Sequence, residues 1–172
     1  MENATEARKR KLIRVIMDDN DTDAFRRNMG RVRELESLCD GDTTTIDMIL
    51  DELFSRRTEG RLNFFSIGSP VWHLLEIVEA LALPPHAVRV AEILSWDELV
   101  QGQNRSDRAL VPEILKRIGD RSVIPALEAF AEKVKGIEYD YHYHIERVTP
   151  ATDLNDMDQK CIEQAINACQ TR

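Results

Sequence analysis

Apolar residues recur along this chain at intervals of three and four through seven or eight stretches, each reading as a helix buried along one side. Leu12, Val15 and Ile16 line a first helix from Glu6 to about Met17. Phe25, Met29, Val32, Leu35 and Leu38 line a second from Asp23 to Cys39, with Asp21 or Thr22 as its cap, and Asp40-Gly41-Asp42 breaks it. Thr44-x-x-Asp47 reads as a capping-box variant opening a third helix, with Ile46, Ile49, Leu50, Leu53 and Phe54 inward and a stop near Arg57. Ser69-Pro70, a cap followed by an N1 proline, starts a fourth. Its wide face of Val71, Leu74, Leu75, Val78, Leu81 and Ala82 places it centrally, with His73 at the edge as a packed or solvated side chain. Pro84-Pro85 ends that helix and opens another, which carries Val88, Ala91 and Leu94 toward Trp96. Gln101 to Ser106 is polar and reads as a loop. After Pro150, Asp153 or Asn155 can cap a last helix through Met157, Ile162, Ala165, Ile166 and Cys169, which closes the core.

The centre is the run from Leu110 to Leu127. It reads as a helix ending at Ile118, a short turn, and a helix whose face is Val123, Leu127, Phe130 and Val134, with Ile124 and Ala131 beside them: an αα-hairpin. Gly119 is expected in the left-handed conformation that ends a helix, and Ser122 as the cap of a helix with Pro125 at its third position, where no N–H is missed. The sequence Ile118-Gly119-Asp120, followed by Val123-Ile124-Pro125-Ala126-Leu127, resembles the junction between units of HEAT-like helical repeats. The resemblance covers residues 110–127. It implies stacked helix pairs and a role in binding other macromolecules, and it carries no catalytic residues. Pro112 precedes Pro125 by far less than a repeat length of roughly 40 residues, and no second copy of the junction is legible.

From Ile137 to Glu146 every odd position is aliphatic or aromatic and every even one polar, the alternation of a strand. Ile137, Tyr141, Ile145 and Val148 also keep a loose helical spacing, and the run continues a strong helix, so helix and strand both stand. A strand here would need a partner, and 62–67 alone offers one.

Composition changes the picture in three ways. The 172 residues suffice for one domain, 1–172, with a real core, and seven glycines and six prolines leave little room for a many-turned β fold. The net charge of −8 argues against nucleic acid and suits a basic protein partner. Three cysteines, Cys39, Cys161 and Cys169, without a Cys-x-x-Cys pair, read as reduced thiols in a cytoplasm. The apolar run Leu12 to Met17 is broken by Arg14 and reads as neither signal peptide nor membrane span.

Candidate chemistry is thin. Asp19-Asn20-Asp21-Thr22-Asp23 has the spacing that opens a calcium loop, but Ala24 stands where the turn requires glycine and Gly30 where a glutamate closes the site. The Arg8-Lys9-Arg10-Lys11 run is offset by flanking acids and reads as a solvated face. No glycine-rich phosphate loop, nucleophile elbow or His-Glu-x-x-His is present, and no signature relates a cysteine to a histidine. If 137–146 is a strand, Asp140, His142, His144 and Glu146 share one face and could hold a metal for an enzyme. All three tyrosines also fall here, and tyrosine supplies stiff contact area with a polar tip. The expectation is therefore an all-α protein of antiparallel helix pairs, HEAT-like in its central part, with the 62–67/137–146 strand pair as the alternative. It binds protein through Tyr139, Asp140, Tyr141, His142, Tyr143 and Glu146, with no catalytic residue, metal or cofactor. An inhibitor or immunity-type protein that covers a basic toxin is the nearest analogy of type; a metal-dependent enzyme and a scaffold are the competitors.

Overall fold

The computed structural model describes residues 3–19, 24–39, 43–62, 68–100, 105–135 and 151–172, the side chains of 24–26, 105–107 and 151–157 excepted. The described residues form nine α-helices: α1 (Ala4–Asp18), α2 (Ala24–Ser37), α3 (Thr44–Thr58), α4 (Pro70–Leu81), α5 (Ala87–Glu92), α6 (Asp97–Val100), α7 (Arg105–Ile118), α8 (Ile124–Lys135) and α9 (Ala151–Gln170). No strand occurs among them; of the proposed 62–67/137–146 pair only Leu62 is described, in irregular chain, and the rest lies outside the described residues.

The N-terminal helices pack by their expected stripes. An Asn3–Glu6 capping box that the periodicity did not signal starts α1, Asn3 Oδ1 accepting from Glu6 N at 2.8 Å. Arg56, 6% exposed, joins α3 to the end of α1 by donating to Asp18 Oδ1 at 2.7 Å and to the Met17 carbonyl at 3.4 Å. Arg8 bridges to Glu34 on α2 at 2.6 Å. The expected Thr44–Asp47 capping box is absent: Thr43 precedes α3 with no side-chain cap, and Asp47 instead faces Arg89 at 3.5 Å. Ser69 caps α4 as expected, accepting from Trp72 N at 3.2 Å, and Val71, Leu74, Leu75 and Val78 are fully buried at the centre.

The helix expected over 85–96 is broken into a 3-10 turn (Pro84–His86), α5, and a second 3-10 turn (Ile93–Ser95). Two adjacent prolines withhold their N–H groups, and His86 Nδ1 takes the Leu83 N–H at 3.0 Å, which tightens the first turn. Ala91 and Leu94 are buried as expected, whereas Val88, expected inward, is 56% exposed, and Val90 is buried instead. The segment expected as a loop is shorter than drawn, since α7 already begins at Arg105. Pro112 lies inside α7, where it cannot donate to the carbonyl of residue 108.

The central hairpin needs two corrections. Gly119 is not left-handed, positive φ among the described glycines being confined to Gly60 and Gly68. It is glycine because a Cβ would stand 2.7 Å from Cys169 Sγ and 2.6 Å from the Leu115 carbonyl. Asp120, not Ser122, caps the 3-10 turn Arg121–Val123 that leads into α8, accepting from Ser122 N at 2.8 Å. A carboxylate two residues ahead of that N–H reaches it in an Asx-turn, which the serine's own short hydroxyl cannot do. The most extensive packing of both α7 and α8 is with α9. α9 runs parallel to α7, with Asp158 beside Arg108 and Arg172 bonding the Gly119 carbonyl, and antiparallel to α8, with Gln159 on Ala131 and Arg121 reaching the Gln170 carbonyl. α9 starts at Ala151, ahead of the caps expected at Asp153 or Asn155. No helix among the described residues is long and apolar enough to cross a membrane.

Candidate functional site

The sequence-predicted interface of Tyr139, Asp140, Tyr141, His142, Tyr143 and Glu146, and the metal alternative with His144, lie outside the described residues. The described structure gives their flanks, α8 ending at Lys135 and α9 beginning at Ala151. Among the described residues no three His, Cys, Asp or Glu side chains gather as metal ligands. Asp19, from the calcium-like run, is held by Arg27 at 2.7 Å and Arg31 at 2.6 Å, whose hydrogen bonds and charges keep its carboxyl well below the usual carboxylate range.

The thiols are placed for packing. Cys39, Cys161 and Cys169 are all free and buried. Burial, with Glu113 Oε1 at 3.3 Å and its charge, pushes the Cys161 thiol up to about 12, so the nucleophilic thiolate is suppressed. Burial also raises Cys169, whose Sγ lies 3.5 Å from the Leu115 carbonyl.

Two of the concavities among the described residues are wide enough to matter. One, of about 600 Å³, lies between α4 and α7 and is lined by Glu76, Glu79, Glu113, Lys116 and Arg117. Arg117 donates to the Val78 and Glu79 carbonyls at the end of α4, and Lys116 donates to Glu113 at 3.2 Å. Burial and the nearby Glu113 and Glu76 raise the Glu79 carboxyl. The cations there are engaged in joining helices.

The other, of about 510 Å³, is an open groove between α5 with its following 3-10 turn and α8. Val88, Ala91 and Leu94 form one wall, and Val123, Ala126, Ala129 and Phe130 the other. Val88 and Ala129 face solvent, while Leu94 and Phe130 close the floor. The polar groups in the lining are turned inward to partners of their own. Ser95 Oγ donates to the Glu92 carbonyl at 2.7 Å, and Ser122 Oγ to Asp120 at 2.6 Å. Lys133 Nζ donates to Asp97 Oδ1 at 2.6 Å and to the Ser95 carbonyl at 3.2 Å. That bond and charge hold the Asp97 carboxyl below its ordinary value. Glu92 is the one lining charge whose side chain has no partner among the described residues. The groove thus offers apolar contact and an acidic edge.

Sequence reasoning missed this groove because its walls come from segments about 30 residues apart and are lined by small and aliphatic side chains, Ala91, Ala126 and Ala129 among them. Its sequence signal was Val88, an apolar residue in a helix too short to turn all its apolar positions inward. The chain matches no protein-family model, no curated protein and no solved structure.

Proposed function

We propose that this protein is a non-catalytic protein-binding module, an acidic inhibitor of the immunity type that neutralises a basic protein partner such as a toxin. The observation that carries this reading is the open apolar groove whose serines and lysine are already bonded and whose remaining charge is Glu92, on a chain of net charge −8. Such a surface gains by covering and gives a cationic partner a favourable encounter. The tyrosine and acid run Tyr139–Glu146 extends the same reading, supplying Tyr139, Tyr141 and Tyr143 as contact area and Asp140 and Glu146 as charge, with His142 between them.

A HEAT-like reading of the central part is compatible with it: α4 packs on α7, and α5 packs on α7 and, less, on α8. α5 and α8 each follow a 3-10 turn, and the prolines beside those turns, Pro84 and Pro125, stand about 40 residues apart, the period of HEAT units. The departure from a regular stack is α9, which packs on both α7 and α8. Three free, buried thiols fit work in the reducing cytoplasm.

The test is capture on the immobilised protein, followed by titration of the captured protein at several salt concentrations. A basic partner held in near-equal amount, its affinity falling as salt rises and weakened by the Tyr141→Ala/Tyr143→Ala double variant, is expected. A partner of acidic charge, or an affinity indifferent to salt, would overturn the reading.

A further inference from the structure

We infer that the groove between α5 and α8 seats an amphipathic helix of the partner, its apolar face on Ala91, Ala126 and Ala129 and a lysine or arginine beside Glu92. This rests on the reading of the chain as a binder of a basic protein and names the element of that partner it grips.

Four observations select the occupant. The first is shape. The open face of α8 and the 3-10 turn before it runs from Ser122 to Lys133, roughly 16 Å at the rise of a helix, enough for a partner helix of about three turns. Both walls are helical, and alanines on them let a third backbone come close. The second is hydrogen bonding. Ser95 and Ser122 spend their hydroxyl donors within the protein and Lys133 is bonded to Asp97 and the Ser95 carbonyl, so Glu92 alone of the lining is left with a polar side chain unpaired among the described residues, too little to orient a small molecule on several sides. A helix asks nothing of them, because its backbone groups are bonded internally.

The third is apolar exposure. Val88 is 56% and Leu83 48% exposed, the only large hydrophobic residues so exposed among the described ones, and both lie at the α5 side. Val88 belongs to the groove wall itself and carries its apolar surface out to the rim, as a helix-binding groove requires. The fourth is charge. Lys133 is neutralised by Asp97, which leaves Glu92 as the net charge of the lining. That sign attracts a cationic helix, and it opposes a second copy of this chain, itself at −8.

The full-length protein is titrated with a designed peptide of about four turns, with leucines on one face and lysines on the other, while methyl NMR signals are recorded. Expected shifts are confined to Val88, Ala91, Val123, Ala126 and Ala129, with none when the lysines are replaced by glutamates. Glu92→Lys, at an exposed position, is expected to weaken the lysine peptide about tenfold and to admit the glutamate peptide. Shifts elsewhere, no shifts at millimolar peptide, or equal binding by Glu92→Lys would overturn the inference. So would groove shifts that grow with protein concentration alone, which would make a second copy the occupant. Ala129→Phe separates this inference from the reading beneath it. Loss of the captured basic protein places the partner in the groove, undiminished capture overturns the groove while the inhibitor reading stands, and failure of the wild-type protein to capture any basic partner sinks both.

Discussion

Two clefts flank α8, and they are treated in opposite ways. The cleft toward α7 is filled by α9, which buries Ile162, Ala165 and Cys169 and brings Asp158 to Arg108 at 3.8 Å, both under 5% exposed. It is so closely packed that Gly119 has no room for a methyl group. The cleft toward α5 is left open, walled by alanines, with its serine hydroxyls and its lysine already bonded. One is built to be part of the core and the other to be stable while empty. A cavity can stand open in water when its polar atoms are satisfied and its apolar area is modest.

That contrast fixes the order of mutational effects. Ile162→Ala in the filled cleft removes buried methylenes and leaves a cavity, and is expected to cost about 3 kcal/mol in chemical denaturation, whereas Ala129→Leu in the open groove stays within about 0.5 kcal/mol. Equal effects would erase the distinction. Asp158→Ala leaves the buried Arg108 guanidinium without its carboxylate and is expected to cost about 3 kcal/mol, largely independent of salt. A loss abolished by high salt would mean the pair is solvated.

Gly119→Ala forces its new methyl group against Cys169 Sγ and the Leu115 carbonyl, a change expected to cost about 2 kcal/mol. Gly119→Ala combined with Cys169→Ala should recover part of it, and no recovery would place the strain on the helix carbonyl alone. The smallest effect is at the rim. The Lys133 hydrogen bond and charge lower the Asp97 carboxyl below its ordinary 3.8. A depressed carboxyl contributes stability above its unfolded value and loses it as pH falls through the folded one. Wild type and Asp97→Asn should therefore differ slightly at neutral pH and converge in acid below pH 3.8; a gap that widens in acid would contradict the assignment.

The stripes of α1, α3, α4 and α8 were legible because each is a local period of apolar residues, and Leu12, Ile49, Leu74 and Leu127 are buried as that period requires. Val88 was misread because a period of apolar residues does not show where a short helix begins: α5 starts only at Ala87, after a 3-10 turn closed by the His86 side chain, and Val90, Ala91 and Leu94 are the residues buried there. Gly119 was recognised as necessary for the wrong reason: sequence shows the turn, but the close approach of Cys169 comes from a helix some 50 residues onward. The groove was illegible because alanine has no chemistry to announce itself. The Tyr139–Glu146 run, the most conspicuous in the sequence, lies outside the described residues.

The three buried thiols also make the protein its own stopwatch. Cys161 and Cys169 lie on the inward face of α9, and Cys39 follows α2 with its Sγ on the Leu35 carbonyl at 3.0 Å. A thiol reagent reaches each one only when its surroundings open. Labelling rates of Cys161 and Cys169 that rise and fall together with denaturant while Cys39 keeps a separate rate would show α9 leaving α7 as a unit, and one common rate would show the fold opening as a whole. The same chain thus carries, with no added probe, one clock for the departure of its last helix and another for its N-terminal half.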